Sequence, residues 1–272
     1  MREIKEVIGF IGAGNMATAL ISGLINGNHS PSQIIASSPE EKHLERLFNE
    51  YKVKTTNNNL EVAELADIIV LAVKPNVITS VLKELSETIL KNNPLVISIA
   101  AGVKIEKIES LLNPNAKVIR AMPNTPASIM EGVTAIVPNE KVNELDIINA
   151  KQVFEYVGIV TEIKEKDIDI FTALIGSGPA YIFYIIESLL ESSDDLDLSK
   201  EDKINLLASM ISGSANLART SRDSPEVLRE KVTSPGGVTQ RAIEEFEINN
   251  FKELLKKTMR EAERKSIELG EN

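Results

Sequence analysis

The first 164 residues alternate short apolar runs with amphipathic stretches, a pattern typical of a parallel β-sheet with helices on its faces. Residues 68–73 (IIVLAV) are apolar at every position and predict a central strand that is buried on both faces. Residues 14–26 predict a helix, because their apolar side chains recur on one face. Further strands are predicted at residues 7–11, 33–36, 95–100, 118–122, 133–137 and 159–163.

From residue 165 onward the pattern predicts one helix after another and hardly a strand. Residues 168–190 form a long and strongly apolar segment. Pro225 follows Ser224 at a position typical of the first residue of a helix. We therefore predict an α/β domain over residues 1–164 and a helical domain over residues 165–272. The other helices are predicted at residues 200–220, 237–246 and 250–269, with the polar segment 191–198 as a connector.

The composition is that of a globular protein, with 43% hydrophobic and 26% charged residues. A net charge of −10 argues against a nucleic-acid partner, which requires a basic face. No run approaches the ~18 continuous apolar residues of a membrane span, and the N-terminal residues lack the pattern of a signal peptide. We therefore expect a cytoplasmic protein with neither a nucleic-acid nor a membrane partner.

Side chains for autonomous catalysis are scarce. The chain has no cysteine and only two histidines, His29 and His43, both in polar stretches that we expect at the surface. Thiol nucleophiles, thiolate metal sites and histidine-based triads are hard to build from this inventory, and we expect no metal. The reactive group is therefore expected to come from a bound cofactor.

The first predicted strand runs into GAGNMA, which gives Gly12-x-Gly14-x-x-Ala17. Gly12 permits a tight turn, Gly14 allows the backbone to approach a pyrophosphate, and Ala17 allows the helix to pack on the strand. The phosphates would then lie on free N–H groups at the helix N-terminus. Because the motif stands between a strand and a helix, it predicts dinucleotide binding rather than a turn without a ligand.

The second strand is followed by Ser37-Ser38-Pro39, without the acidic residue that usually binds the ribose 2′-hydroxyl of NAD. The serine hydroxyls and backbone N–H groups could hold the 2′-phosphate of NADP instead. Glu40 follows closely and no arginine is adjacent, so NADPH and NADH both stay open as cofactors. A second interpretation, that these residues cap the next helix, is compatible with the first.

Two further strand ends carry candidate cofactor contacts. Ala72-Val73-Lys74-Pro75 follows the central strand, at the edge where doubly wound sheets bind their ligands. The next strand ends in Ala100-Ala101-Gly102, whose small side chains leave room for a flat ring. A purely structural interpretation also stays open here, because Pro75 could simply begin the next helix and Lys74 could simply be a solvated charge.

Three motifs, in this order behind the glycine loop, resemble the pyrroline-5-carboxylate reductase family over essentially the whole chain. They are RAMPNTP at residues 120–126, GSGPAY at residues 176–181 and SPGGVT at residues 234–239. The resemblance implies an N-terminal Rossmann-type doubly wound sheet and an all-α C-terminal dimerisation domain. It also implies reduction of 1-pyrroline-5-carboxylate to L-proline with NADPH or NADH, a homodimer with an active site completed across it, and frequent assembly into a ring of dimers.

The resemblance also assigns residues. Substrate contacts are expected at Glu165, Ser234, Gly236, Gly237, Val238 and Thr239. Cofactor contacts are expected at Gly12, Ala13, Gly14, Asn15, Met16, Ser37, Ser38, Asn59, Ala72, Val73, Lys74, Pro75, Ala100, Ala101, Gly102 and Asn124. Two departures, Ile175 for a frequent serine and Lys231 for an asparagine, leave the reaction undisturbed, and Lys231 could add a cationic contact to a cofactor phosphate.

The residues suit this chemistry. The SPGG turn at a helix start offers backbone N–H groups as a seat for a carboxylate. The Thr239 hydroxyl both donates and accepts, so it can bond to the ring nitrogen, and we assign it the catalytic position. Solution can supply the proton that makes the imine carbon electrophilic. Catalysis would then rest on proximity and orientation, which can lower a barrier by ~7–11 kcal/mol.

Three alternative functions concern the same residues. A β-hydroxyacid dehydrogenase would resemble a family with a lysine on the long helix, but residues 171–190 contain none. A catalytically silent NAD(P)-binding sensor or assembly protein of the same fold stays open. A reductase of a six-membered cyclic imine also stays open, since a single methylene changes pocket affinity by only ~1–3 kcal/mol.

Overall fold

The computed structural model of the chain describes residues 5–271. Eight strands form one sheet in the order β3-β2-β1-β4-β5-β6-β7-β8. They are β1 Ile8–Ile11, β2 Ile34–Ser37, β3 Lys54–Thr56, β4 Ile68–Leu71, β5 Leu95–Ser98, β6 Lys117–Met122, β7 Gly132–Pro138 and β8 Gly158–Glu162. The strand order reverses direction at β1, which lies between β2 and β4, so this edge is the switch point at which such sheets bind ligands.

Helices cover both faces of the sheet. Alternate residues of β4 enter different cores, because successive side chains of a strand point to opposite faces. Ile68 and Val70 pack with the apolar side of α1, whereas Ile69 and Leu71 pack with α3 and α4. The helices that accompany the strands are α1 Asn15–Asn26, α2 Glu41–Tyr51, α3 Asn59–Leu65, α4 Pro75–Asn92, α5 Ile105–Leu111 and α6 Glu144–Glu155.

The rest of the described chain is helical. A π-helical turn, Thr172–Gly176, interrupts the apolar segment that the sequence predicts as one helix. Gly176 lies against β6 there, since a Cβ on it would come within 2.8 Å of Met122 Cε. The helices are α7 Ile168–Phe171, α8 Gly178–Glu191, α9 Lys200–Thr220, α10 Pro225–Lys231, α11 Val238–Ile248 and α12 Phe251–Glu271.

The described residues fall into two compact units. Residues 5–177 and 262–271 form the sheet unit, and residues 178–261 form the helical unit. The division lies after the predicted boundary at residue 164 because Ile168 and Ala173, each 1% exposed, still pack into the sheet unit. Where the functional boundary lies stays a prediction.

The helical unit has no buried residue of its own. Phe183 and Tyr184 of α8 are 62% and 70% exposed. By length and composition, Glu165–Glu191 is apolar enough to cross a membrane, with a mean hydropathy of 1.4, and only 6% of that window is buried. Because polar residues interrupt the apolar run, the sequence pattern did not show how apolar this helical stretch is. Most of this apolar stretch is therefore left uncovered by the other residues of the described chain.

Three expectations from the sequence are corrected. The sheet is not parallel throughout, because β6 and β7 are antiparallel and joined by a short 3-10 turn rather than a crossover helix. The edge strand β3 was missed, since KTT contains no apolar residue. His29 is not at the surface but only 4% exposed, where the chain turns back after α1 and its backbone N–H donates to Leu24 O.

Candidate active site

The glycine loop after β1 has the geometry of a nucleotide-binding turn. Gly12 has φ +100°, and a Cβ there would lie 2.7 Å from Ala72 O, so both backbone angle and space require glycine. Its N–H donates to Ser37 O at 2.9 Å, which ties the loop to the end of β2. A Cβ on Gly14, in contrast, would meet nothing within 4 Å. The packing of the protein itself therefore does not require a glycine at position 14, and the space above this residue is open.

The N-terminus of α1 begins at this open space. Gly14 is the N-cap without a side-chain cap, and the first turn carries no acidic side chain. The Thr18 hydroxyl donates to Gly14 O at 3.0 Å, and Arg46 Nη2 donates to Thr18 Oγ1 at 2.5 Å, so the turn is held from behind. Unpaired N–H groups and the helix dipole favour an anion here, and a pyrophosphate fits this arrangement.

At the end of β2, the two predicted serines are almost fully buried. Ser37 Oγ donates to Asn59 Oδ1 at 2.7 Å, and Asn59 Nδ2 donates to Glu84 Oε2 at 3.1 Å. Ser38 Oγ accepts from the N–H of Glu40 at 3.1 Å. Ser38 therefore organises the turn before α2, although the N-cap itself is Glu40, without a side-chain cap. Ser37 and Asn59 act as one hydrogen-bonded pair beside the glycine loop.

The ends of β4 and β5 present mostly small or extended groups at the same edge of the sheet. Ala72 N–H donates to Ile11 O at 2.8 Å, Lys74 is the exposed N-cap of α4, and Pro75 is its first residue. After β5, Ala100 is 4% exposed and Gly102 has φ +74°. The structure thus brings the predicted cofactor residues of four strand ends together at the switch point of the sheet.

Asn124, predicted to contact cofactor, has both ends of its amide engaged inside the protein. Its Oδ1 accepts from Val133 N–H at 2.8 Å, and its Nδ2 donates to Ile175 O at 3.2 Å. The side chain is only 7% exposed. It joins the end of β6 to β7 and to the π-helical turn, which makes a positioning function the simpler interpretation of this residue.

A charged cluster around the buried Arg120, which the sequence analysis missed, includes Glu165. Arg120 is 4% exposed, and its Nη1 donates to Glu165 Oε1 at 2.7 Å, while its Nη2 lies 4.0 Å from Asp169 Oδ1. Glu165 Oε2 is buried and has no hydrogen-bond partner among the described residues. A charged residue inside the apolar strand KVIRAM was the available signal, since a buried charge requires a partner.

In the helical unit, the SPGGVT loop leads into α11. Gly236 has φ +71°, its N–H donates to Gln240 Oε1 at 2.7 Å, and Gly237 N–H donates to Ser234 O at 3.0 Å. The two glycine N–H groups are thus already used. The donors that remain are those of the first helical turn, which begins at Val238. Thr239 is exposed, and Lys231 pairs with Asp223.

Comparison with known families defines the class of protein. Residues 7–102 match the family described as NADP oxidoreductase, coenzyme F420-dependent. Residues 165–269 match the family described as pyrroline-5-carboxylate reductase dimerisation. The chain is therefore an oxidoreductase that joins a nucleotide-binding sheet to a helical dimerisation domain, which confirms the predicted fold class.

Individual relatives agree along the whole chain. A pyrroline-5-carboxylate reductase of Pseudomonas aeruginosa is 37% identical over 265 residues, 97% of either chain. The structure of a pyrroline-5-carboxylate reductase from Coxiella burnetii has TM-score 0.91 at 38% identity and covers 98% of this chain and 99% of that one. Plasmodium falciparum pyrroline carboxylate reductase with NADP bound has TM-score 0.89 at 34% identity, over 99% and 100%. The chain belongs to the pyrroline-5-carboxylate reductase family.

Proposed function

We propose that this protein reduces 1-pyrroline-5-carboxylate to L-proline, the last step of proline biosynthesis, in the cytoplasm. The observation that carries the proposal is the open, uncapped N-terminus of α1 above Gly14, in a chain of this family. A bound NADPH or NADH would supply the hydride for the imine carbon, and solution would supply the proton for the ring nitrogen. The residues of the chain bind and orient the cofactor and the imine and exclude water, and none of them has to act as a strong acid.

The cofactor site is proposed to extend along the switch point of the sheet. Gly12 to Met16 would hold the pyrophosphate, because the helix N-terminus there attracts anions. Ser37, Ser38 and Asn59 would face the adenosine ribose, and Asn59 is held in place by Ser37 and Glu84. The nicotinamide half would lie along 72–75 and 100–102, with Asn124 as a positioning residue.

The substrate seat is proposed at residues 234–239. The N–H groups of the first turn of α11 suit a carboxylate, and Gln240 holds the turn by accepting from Gly236 N–H. Thr239 would donate to or accept from the ring nitrogen, whose hydrogen bonding changes as the imine becomes an amine. No partner within the described chain engages the Thr239 hydroxyl, which leaves it available for the substrate.

Glu165 is proposed to contribute through its unpartnered Oε2. Arg120 holds Oε1 in place, so the second oxygen keeps its acceptor capacity. An N–H of the product amine or of a protonated imine is a suitable donor for such an oxygen.

The first experiment measures oxidation of NADPH and of NADH by absorbance, with purified protein and 1-pyrroline-5-carboxylate. Substrate-dependent oxidation is expected, and the two rates give the cofactor preference. Cofactor binding without turnover on five- or six-membered cyclic imines would contradict the proposal and favour a silent NAD(P)-binding protein. Faster turnover of the six-membered ring would reassign the substrate.

Thr239→Ala tests the catalytic assignment. We expect turnover to fall by about 10²-fold, a typical value for a positioned proton-handling group, with cofactor binding nearly unchanged. Thr239→Ser keeps the hydroxyl and should retain most of the rate. An unimpaired Thr239→Ala protein would remove Thr239 from the reaction.

A further inference from the structure

The last turns of α12 pack against the loop that follows β5. If Gly102 had a Cβ, that atom would lie 3.0 Å from Leu269 Cβ and 3.3 Å from the Leu269 carbonyl carbon. A Cβ on Gly270 would lie 3.0 Å from Gly102 O and 3.2 Å from Lys104 Cε. The two backbones therefore meet directly, with glycine on both sides of the contact.

A chain of polar contacts joins the same turns of α12 to the far end of this loop. Ser266, 6% exposed, donates from Oγ to Asp169 Oδ1 at 2.7 Å. Asp169 faces Arg120, which binds Glu165 Oε1, and that oxygen also accepts from Ile105 N–H at 3.4 Å. Ile105 is the first residue of α5, directly after the loop. Both ends of the loop are thus anchored: Ser98 Oγ accepts from Ala100 N–H at one, and this cluster holds the other.

We propose that the end of α12, through Ser266 and Gly270, is a positioning segment that holds the 100–102 loop in the conformation that accepts the cofactor. The inference rests on the proposed function for its cofactor site. A planar ring seated against small side chains tolerates little displacement, and a shift of about 1 Å in a positioning group can cost about 10²-fold in rate. Residues more than 160 positions from the loop therefore govern its geometry.

The proposal separates cofactor affinity from the rest of the activity. Gly270→Val places a branched side chain between α12 and Gly102 O, and Ser266→Ala removes the bond to Asp169. Two variants of the same helix serve as controls. Thr258→Ala removes a hydroxyl that bonds only to Leu254 O, and Lys265→Ala shortens an exposed side chain beside Ser266.

Four quantities are measured on each full-length variant: the Kd of NADPH and NADH by fluorescence titration, kcat and KM for both substrates, amide hydrogen exchange of residues 99–104, and Tm. For Gly270→Val we expect the cofactor Kd and KM to rise about tenfold or more, and for Ser266→Ala several-fold. Exchange in the loop should accelerate, while the KM of the imine stays within about twofold and both controls resemble the wild type.

Unchanged cofactor Kd and loop exchange in both variants would overturn the proposal. So would a parallel loss of affinity for both substrates that follows the drop in Tm, since this is the signature of general destabilisation. If Gly270→Val does not fold, Ser266→Ala decides. A wild type that binds cofactor but does not reduce the imine refutes the proposed reaction only, because titration and exchange still test the positioning segment.

Discussion

In the sheet unit, β1 and β4 are buried on both faces and supply two hydrophobic cores, whereas in the helical unit not one residue is buried. The helical unit nevertheless contains α8, whose exposed side chains include Phe183 and Tyr184. The sheet unit thus completes its core within one chain. The helical unit leaves its apolar surface for a second copy, in agreement with the dimerisation family that residues 165–269 match.

The same contrast holds for the sites. The proposed cofactor site is built from backbone held by internal hydrogen bonds, such as Gly12 N–H to Ser37 O. The SPGGVT loop is exposed, with Val238 90% exposed and Thr239 without an internal partner. A site formed at a sheet edge is preorganised by the fold of one chain, while a loop on an uncovered helical unit depends on what covers it.

The largest expected effect comes from Phe183→Glu. A charge placed in the apolar surface of α8 would be buried without a partner against the second copy, which is strongly unfavourable. We therefore expect loss of self-association and of activity, with a loss of about 3 kcal/mol or more in the stability of the dimer. Light scattering gives the mass, and the wild-type Tm should rise with protein concentration. The matched control, Phe48→Glu on α2, also replaces an exposed phenylalanine, 54% exposed, and should change stability by less than about 0.5 kcal/mol. Equal effects of the two would break the comparison.

Substitutions in the glycine loop separate a ligand requirement from a folding requirement. Gly14→Val should leave Tm unchanged, since the space there is open, but weaken cofactor binding about 10²-fold by occupying the approach of the pyrophosphate. Gly12→Ala should instead destabilise the free protein by about 1–3 kcal/mol, because φ is positive and Ala72 O is too close. Near-normal NADPH titration of Gly14→Val would remove the loop from the cofactor site.

Asn124→Ala probes the internal anchoring of the sheet unit. Loss of the amide leaves Val133 N–H and Ile175 O without their partners, so we expect a loss of about 1–3 kcal/mol in urea unfolding. Asn124→Asp keeps an acceptor for Val133 N–H and should lose less. A fully stable Asn124→Ala protein would mean that this amide is not a positioning group.

The smallest effect concerns Glu61 on α3. Hydrogen bonds from Lys54 and then Thr56 lower the pKa of Glu61 below its usual 4.5. The folded state therefore gains stability from this carboxylate above pH 4.5, and the gain disappears as the pH falls through the lowered pKa. Glu61→Gln should lower Tm slightly at neutral pH and not at all in acid. A pH-independent difference would contradict the ion pair.

The sequence predicted seven of the eight strands because each of these seven contains consecutive apolar residues, as in VIGFI at β1 and IIVLAV at β4. It missed β3, whose KTT sequence carries no hydrophobic signal and which forms by pairing with β2. It predicted helix α9 at its observed limits from amphipathic spacing, but not the π-helical turn before α8. In that turn Gly176 lies against Met122, a contact between residues far apart in the chain.

The proposed site shows the same division. GAGNMA and SPGGVT are visible in sequence because glycine and a helix start have local signatures. The Arg120–Glu165–Asp169 cluster leaves only one local signal, the arginine inside KVIRAM, which does not name its partners. The contact of Gly270 with Gly102 leaves none, because it joins residues far apart in the chain.

The sequence by itself determined the class of fold, the family and the position of the glycine loop, because these follow from local periodicity and short motifs. Only the tertiary structure decided that β7 runs antiparallel to β6 and that His29 is buried. It alone also showed that both ends of the Asn124 amide form hydrogen bonds within the protein. It also decided that the end of α12 returns to the loop at residues 100–102, which belongs to the proposed cofactor site. Burial and strand pairing depend on segments that folding brings together. A hydrophobic pattern indicates only that a side chain is to be buried, and it does not identify the residues that pack against it.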